Sequence, residues 1–141
     1  MSFKNILCFG TLNPDLIYFV DELPNKGDDI RSLKSSIRPG GTAINCSELI
    51  SLWDKSVHVR GNSIGSDPMG KYLVDYLKEN NINFDGLIIN QSLTPTCSIF
   101  VDSSGERTII SSGYEGLEWS NFENLNNFDS LIIDRYSIKF I

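Results

Sequence analysis

The sequence has few residues of several chemically informative kinds. Among its 141 residues are a single alanine, Ala43, and a single histidine, His58. It has no cluster of lysine and arginine and carries a formal charge of −6, whereas a general nucleic-acid binder needs a basic face to neutralise phosphates. Its apolar runs, such as Ile6–Phe9, fall far short of the roughly 20 residues that a membrane-spanning helix needs. The composition therefore argues against both nucleic acid and a membrane as partners.

Cysteines are also scarce. The three that occur, Cys8, Cys46 and Cys97, are too far apart for a CxxC redox pair or a zinc knuckle. Unpaired thiols suit a reducing compartment. The first residues lead directly into a strand-like run and lack the apolar segment of a secretion signal. We therefore expect a cytoplasmic location.

Hydrophobic periodicity predicts strands that alternate with helices. Strands are predicted at 6–9, 16–20, 30–38, 57–60, 87–89, 97–102, 107–111 and 131–133, and helices at 42–53 and 71–80. This alternation predicts a parallel sheet with crossover helices, an α/β fold. The segments 16–38 and 97–111 do not fit the alternation and predict a small antiparallel sheet added to the main body.

The first predicted helix carries a set of large apolar residues. Ile44, Leu49, Leu52 and Trp53 can share one face of a helix, because residues three or four apart lie on the same side. The spacing predicts that this face is buried.

One stretch has the G-x-x-x-x-G-K spacing of a phosphate-binding loop, from Gly65 to Lys71. However, Tyr72 follows the lysine, where the loop needs Ser or Thr to ligate Mg²⁺. Asp67 would place a negative charge among the phosphates, and Pro68 removes a backbone donor. A P-loop nucleotide hydrolase is therefore disfavoured, and the stretch predicts a turn that leads into a helix with Asp67 near the cap.

Polar side chains follow the first predicted strand. Asn13 and Asp15 come just after Gly10, and ligands of open α/β sheets bind at the carboxyl ends of the strands. Carboxylate and amide groups together suit vicinal hydroxyls, since Asp only accepts hydrogen bonds whereas Asn donates and accepts them. The alternative is an Asx-turn at Asn13 and Pro14.

A second polar motif precedes the first predicted helix. Gly40 and Gly41 would let the backbone approach a small ligand closely. The helix that follows would present free N–H groups, and Asn45 lies on its first turn. The alternative is a plain strand-to-helix turn.

Taken in order, these motifs resemble the N-terminal half of the pfkB (ribokinase-like) family of carbohydrate kinases. The matching segments are 10–15, 40–45, 65–70 and 94–109. The segment from Thr94 through the hairpin that ends in Arg107, Thr108 and Ile109 is most similar to ketohexokinase-type members.

The resemblance implies a Rossmann-like parallel sheet with helices and a small antiparallel β lid formed by about 16–38 and 96–111. Family members transfer the γ-phosphoryl group of Mg-ATP to a sugar hydroxyl, so ATP and Mg²⁺ are the implied cofactors of the complete enzyme. A sugar is the implied small-molecule partner, and pairing of lid strands implies a possible homodimer. The implied substrate-binding residues are Asn13, Asp15, Gly40, Gly41, Thr42, Asn45 and Arg107. For Arg107, on the lid hairpin, a solvated charge is the alternative.

The chain also departs from the family pattern. Thr42 stands where relatives often have Asn or Lys, which leaves the identity of the sugar open. The C-terminal Gly-Ala-Gly-Asp motif is absent, because the only alanine is Ala43. In relatives this motif supplies the base and an anion hole. We therefore assign no catalytic residue and no metal ligand to this chain.

On this basis, residues 1–141 are expected to be the N-terminal part of a kinase domain that is truncated just after the strand at 131–133, without its ATP-binding half. The isolated chain is expected to have no kinase turnover. The alternatives are an inactive sugar-binding remnant and a module for association through the lid.

Overall fold

The computed structural model describes residues 4–53 and 55–140. The helices are α1 (Thr42–Ser51) and α2 (Pro68–Glu79). The strands are β1 (Asn5–Gly10), β2 (Asn13–Phe19), β3 (Lys34–Gly40), β4 (Ser56–Gly61), β5 (Ile64–Gly65), β6 (Ile89–Asn90), β7 (Thr96–Val101), β8 (Arg107–Ser112) and β9 (Ser130–Ile133). Two short 3₁₀ turns lie at Leu125–Asn127 and Ile138–Phe140.

The main body is a parallel sheet with the strand order β4-β1-β9. Its central strand, β1, is buried on both faces, as expected for a continuous apolar run. Ile6 and Cys8 pack with the helices in one core. On the opposite face, the ring centroid of Phe9 lies 4.4 Å from that of Phe122. The predicted α/β class is confirmed.

A second sheet has the order β3-β2-β7-β8. The outer pairs, β2 with β3 and β7 with β8, are antiparallel as predicted, but the central pair of β2 and β7 is parallel. Both central strands begin beside buried residues, Asn13 and Pro95, and end near exposed turns, so they leave the main body in the same direction. The sheet is therefore mixed.

Of the four residues predicted to form the buried face of α1, only Ile44 is buried. Leu49, Leu52 and Trp53 are 56%, 76% and 62% exposed. The residues buried are Ala43, Ile44, Ser47 and Ile50. Periodicity based on large apolar residues misses this face because one of its members is a serine. The hydroxyl of Ser47 donates to the Ile44 carbonyl at 2.8 Å and is thereby satisfied in the core.

Helix α2 begins at Pro68, three residues before the predicted start, because Asp67 caps it. The Asp67 carboxylate accepts from the Gly70 amide at 2.8 Å, and from the amide and hydroxyl of Thr94 at 2.9 and 2.6 Å. Partial burial opposes ionisation, but these hydrogen bonds outweigh it and lower the pKa of Asp67. The predicted capping role is confirmed. The Gly70 amide is therefore already bonded within the chain and not free to bind a phosphate.

Some strand bounds differ from the predicted ones. Strand β3 starts at Lys34 rather than at residue 30, because its partner β2 ends at Phe19, whose carbonyl accepts from the Leu33 amide. Strand β6 covers only Ile89–Asn90. Within the described ranges, neither helix is long and apolar enough to cross a membrane.

Candidate functional site

A cleft of about 1040 Å³ lies between the carboxyl end of β1, the start of α1 and one face of the second sheet. Six of the candidate residues line it: Asn13, Asp15, Gly41, Thr42, Asn45 and Arg107. The seventh, Gly40, lies opposite Asn13 in the register of β2 and β3. The fold thus brings together residues that are distant in the sequence.

The wall of the cleft is one face of the second sheet. Asp15 lies opposite Cys97 on β7, and Cys97 lies opposite Ser111 on β8. Two residues further along, Ile99 pairs with Ile109. Because side chains alternate between the faces of a strand, this wall combines a polar row near the main body with an apolar row beyond it.

A chain of hydrogen bonds orients Asp15. The Asn13 amide group donates to Asp15 Oδ1 at 2.7 Å, and the Tyr114 hydroxyl donates to Asn13 Oδ1 at 2.8 Å. Burial and the neighbouring Cys97 thiol raise the pKa of Tyr114, so it stays a neutral donor. Among the described residues no backbone amide donates to Asn13 Oδ1, so the alternative Asx-turn at Asn13 does not form.

The second oxygen of Asp15, Oδ2, accepts no hydrogen bond from the part of the chain that the structure describes. Burial raises the pKa of Asp15, and the hydrogen bond from Asn13 only partly opposes that rise. A desolvated carboxylate with a free oxygen favours an incoming hydroxyl donor. The arrangement is therefore suited to binding a polyol.

The glycine pair is required by geometry. Gly41 is the N-cap of α1 with φ 85° and ψ 155°, a conformation that is essentially restricted to glycine. A Cβ atom on Gly41 would collide with the Thr11 carbonyl, and one on Gly40 would collide with the Asp15 carboxylate. The two glycines hold the backbone close against the cleft, as expected from the motif.

The start of α1 is less open to a ligand than expected. The Thr42 amide donates to Thr11 Oγ1, and the Ala43 amide donates to the Thr11 carbonyl, both at 3.1 Å. Two of the first N–H groups of the helix are therefore already bonded within the chain.

The sequence did not point to Asp134, which accepts hydrogen bonds from two residues that line the cleft, Thr11 and Thr42. Its carboxylate accepts from the Thr42 hydroxyl, from the Thr11 amide at 3.3 Å and from the Ser137 amide at 2.7 Å. Partial burial opposes ionisation, but these bonds prevail and lower the pKa of Asp134. The signal was present, since Asp134 directly follows β9 at the same carboxyl edge as the polar residues that follow β1.

Tyr114 was also missed. It lies in an irregular segment 101 residues from Asn13, and no local pattern marks it.

Comparison with known proteins identifies the family. The model of the pfkB family carbohydrate kinases matches residues 4–138. The chain belongs to this family. A ribokinase from Dictyostelium discoideum is 29% identical over 108 residues, and a ketohexokinase from Mus musculus is 31% identical over 112. The chain spans only about a third of these relatives, 34% and 37% of their lengths.

Solved structures show the same fold. A ribokinase from Cryptococcus neoformans in complex with ADP matches with a TM-score of 0.69 at 21% identity, over 92% of this chain and 40% of that one. A ribokinase from Arabidopsis thaliana complexed with ribose and ATP matches with a TM-score of 0.68 at 20% identity, over 79% and 36%. At these identities the likeness establishes the ribokinase-like fold alone.

Two candidate residues of this pfkB chain, Asn45 and Arg107, are exposed at the cleft. Neither side chain makes a hydrogen bond with another residue in the ranges described. Both are therefore free to contact a ligand.

The implied Mg-ATP is not assigned to any described residue of the pfkB chain. Across 4–53 and 55–140, no three or more His, Cys, Asp or Glu side chains are grouped to hold a metal ion. The only stretch with P-loop spacing has its cap position filled by Asp67.

Proposed function

We propose that this chain supplies the sugar-binding and lid part of an ATP-dependent carbohydrate kinase, which phosphorylates a sugar hydroxyl. The free oxygen of Asp15, in the cleft between the carboxyl end of β1 and the second sheet, carries this proposal. Membership of the pfkB family supports it. The three cysteines are free in the structure, which agrees with action in the reducing cytoplasm.

The sugar would be held by groups of complementary hydrogen-bonding character. Asp15 accepts from one or two hydroxyls, and Asn45 both donates and accepts. Gly41 leaves room for the ring to approach the backbone. Ile99 and Ile109 offer apolar surface to the C–H face of the sugar.

The second sheet would act as the lid, through the segments about 16–38 and 96–111. It forms one wall of the cleft and is attached to the main body at Asn13 and Pro95. Closure over a bound sugar would exclude water from the phosphoryl acceptor. Residues other than those described would then bind ATP and Mg²⁺ and provide the base, as in a complete pfkB enzyme.

A second candidate function is association through the lid, with a homodimer as its simplest form. The face of the second sheet that points away from the cleft exposes Ile37 and Ile110, at 48% and 55%. Strand β8 is also an unpaired edge, and such edges favour pairing with another chain.

A binding and turnover test distinguishes these functions. Purified chain 1–141 is expected to bind ribose or fructose in calorimetry and to show no ATP-dependent phosphorylation of either, with an active ribokinase as the assay control. Turnover above a buffer control would contradict the proposal that this chain supplies only the sugar-binding and lid part. Absence of sugar binding together with a stable dimer would favour the association module.

Replacing Tyr114 by phenylalanine tests how Asp15 is positioned. Tyr114→Phe removes the donor to Asn13, so we expect sugar affinity to fall by roughly 5-fold, the size of one lost hydrogen bond. The bond from Asn13 lowers the pKa of Asp15, so loosening Asn13 raises that pKa and moves the acidic limb of sugar binding to higher pH.

Tyr136→Phe is the matched control, because Tyr136 lines the same cleft but bonds to Arg135. Tyr136→Phe should not shift the acidic limb of the pH profile of sugar binding. An unchanged pH profile in Tyr114→Phe would rule out a positioning role for Tyr114.

A further inference from the structure

A second groove, of about 580 Å³, opens beside the cleft over the same face of the second sheet. The two spaces share Asp15, Asn45, Ile99 and Arg107, so they are continuous. The floor of the groove is apolar and is formed by Ile17, Phe19 and Val101. A ligand bound at Asp15 can therefore extend into this groove.

Three cationic side chains surround the groove: Lys34, Arg38 and Arg107. Arg38 lies opposite Asp15 in the register, near the cleft. Lys34 and Arg107 lie in one row across the sheet, on opposite edge strands, with backbones roughly 14 Å apart over three strand spacings. The Lys34 ammonium leans over the floor, 5.8 Å from the centroid of the Phe19 ring. We call this space the basic groove.

None of the three cations forms a salt bridge with a carboxylate in the part of the chain that the structure describes. Among the residues described, the ion pair that forms is Lys71 with Asp75, on α2. The whole chain carries −6 and has 12 Lys and Arg, yet three of them border this one groove without a carboxylate in salt-bridge range. Such a grouping has an unmet affinity for an anion.

Two carboxylates and a phenol also border the basic groove. Asp15 lies at the end shared with the cleft, and Glu48 lies on α1. The Tyr76 hydroxyl, on α2, is buried beside the Glu48 carboxylate, which is close enough to raise its pKa, although the two groups do not reach hydrogen-bonding geometry. Burial, followed by the charge of Glu48, raises the pKa of Tyr76 to about 12, so it is a neutral donor. Among the residues that line the groove, the three cations outnumber the two carboxylates, and both carboxylates lie away from Lys34.

We infer that the sugar taken by this site carries an anionic group, a phosphate or a carboxylate, which the basic groove binds while Asp15 and Asn45 hold its hydroxyls. Arginine guanidinium groups match the geometry of both anions. This inference rests on the proposed function and specifies its substrate class.

Matched pairs of sugars test the inference by calorimetry on chain 1–141. Fructose 6-phosphate is compared with fructose, and gluconate with glucose. We expect the charged member of at least one pair to bind about 10-fold more tightly or better, as for a charge-assisted hydrogen bond. The pair that shows the preference identifies the anion. Inorganic phosphate in millimolar excess should weaken binding of the charged member and not of the neutral one.

Single substitutions test whether the preference for a charged sugar comes from the basic groove. Lys34→Gln and Arg38→Gln are each expected to reduce the ratio of charged to neutral affinity by roughly 5-fold. Lys26→Gln removes the same charge from an exposed turn outside the groove and should leave the ratio unchanged. Circular dichroism confirms that each variant is folded.

The outcomes separate the two proposals. Equal affinity for charged and neutral sugars, with neutral binding that depends on Asp15, would overturn the anionic substrate and leave the sugar site standing. An equal loss of the ratio in Lys26→Gln would also overturn it, because the effect would then be long-range. Absence of binding by every sugar would contradict the proposed function itself.

Discussion

Replacing Gly41 by alanine is expected to lower the free energy of unfolding by about 3 kcal/mol or more, from backbone strain plus a steric clash. Gly41 has φ 85° and ψ 155°, where an L side chain is strained. Its added Cβ would also collide with the carbonyl of Thr11, which accepts the Ala43 amide. Relief of the clash requires the start of α1 to move away from β1. Urea unfolding followed by tryptophan fluorescence measures the loss.

Gly27→Ala is the matched control for this variant. Gly27 also has a positive φ, of 94°, but nothing lies within 4 Å of the position that an added Cβ atom would take. The loss of stability in this variant should therefore reflect the backbone alone, about 1 kcal/mol. Equal losses in the two variants would show that close packing against Thr11 contributes nothing.

Replacing Asp15 by asparagine is expected to weaken sugar binding by roughly 30-fold or more, the scale of hydrogen bonds to a charged group. The same substitution should raise the thermal midpoint of the sugar-free protein at pH 7. Burial raises the pKa of Asp15 in the folded state, so its ionisation opposes folding. A neutral side chain of the same shape retains the acceptor for Asn13 and avoids that cost.

The pH dependence follows from the sign of the pKa shift. The stability associated with Asp15 is fully present below the pKa of an unfolded Asp, about 3.9, and is lost as the pH rises through the raised folded-state value. The advantage of Asp15→Asn should therefore be present at pH 7 and shrink on acidification. Asp21→Asn, in an exposed turn, removes the same charge and should change neither property. A variant that is less stable at pH 7, or that binds sugar normally, would contradict this role for Asp15.

Local sequence signals predicted much of the fold. The apolar run of β1, the hairpin of β7 and β8 and the cap at Asp67 each depend on residues within a few positions of one another. The prediction for the buried face of α1 failed at most of its positions because burial also depends on contacts that no local pattern contains. Burial of Ser47 depends on its bond to Ile44 and on the sheet beneath it, and a hydrophobic pattern cannot register either.

The residues of the candidate site also fall into those with a local sequence signal and those without one. The polar residues after β1 and the glycine pair were predicted, because strand ends and positive φ angles leave local signatures. The residues that orient them, Tyr114 and Asp134, were not predicted. Tyr114 meets Asn13 across 101 residues, and Asp134 meets Thr42 across 92.

The sequence alone determined the type of fold, the family motifs and which polar side chains are candidates for binding a ligand, because these depend on residue type and short-range spacing. Only the tertiary structure decided which oxygen of Asp15 is left free, which amides at the start of α1 are already bonded, and that Lys34, Arg38 and Arg107 border one groove. The physical reason is that strand order and register bring distant segments together, and the number of possible pairings of distant segments far exceeds what local patterns can specify.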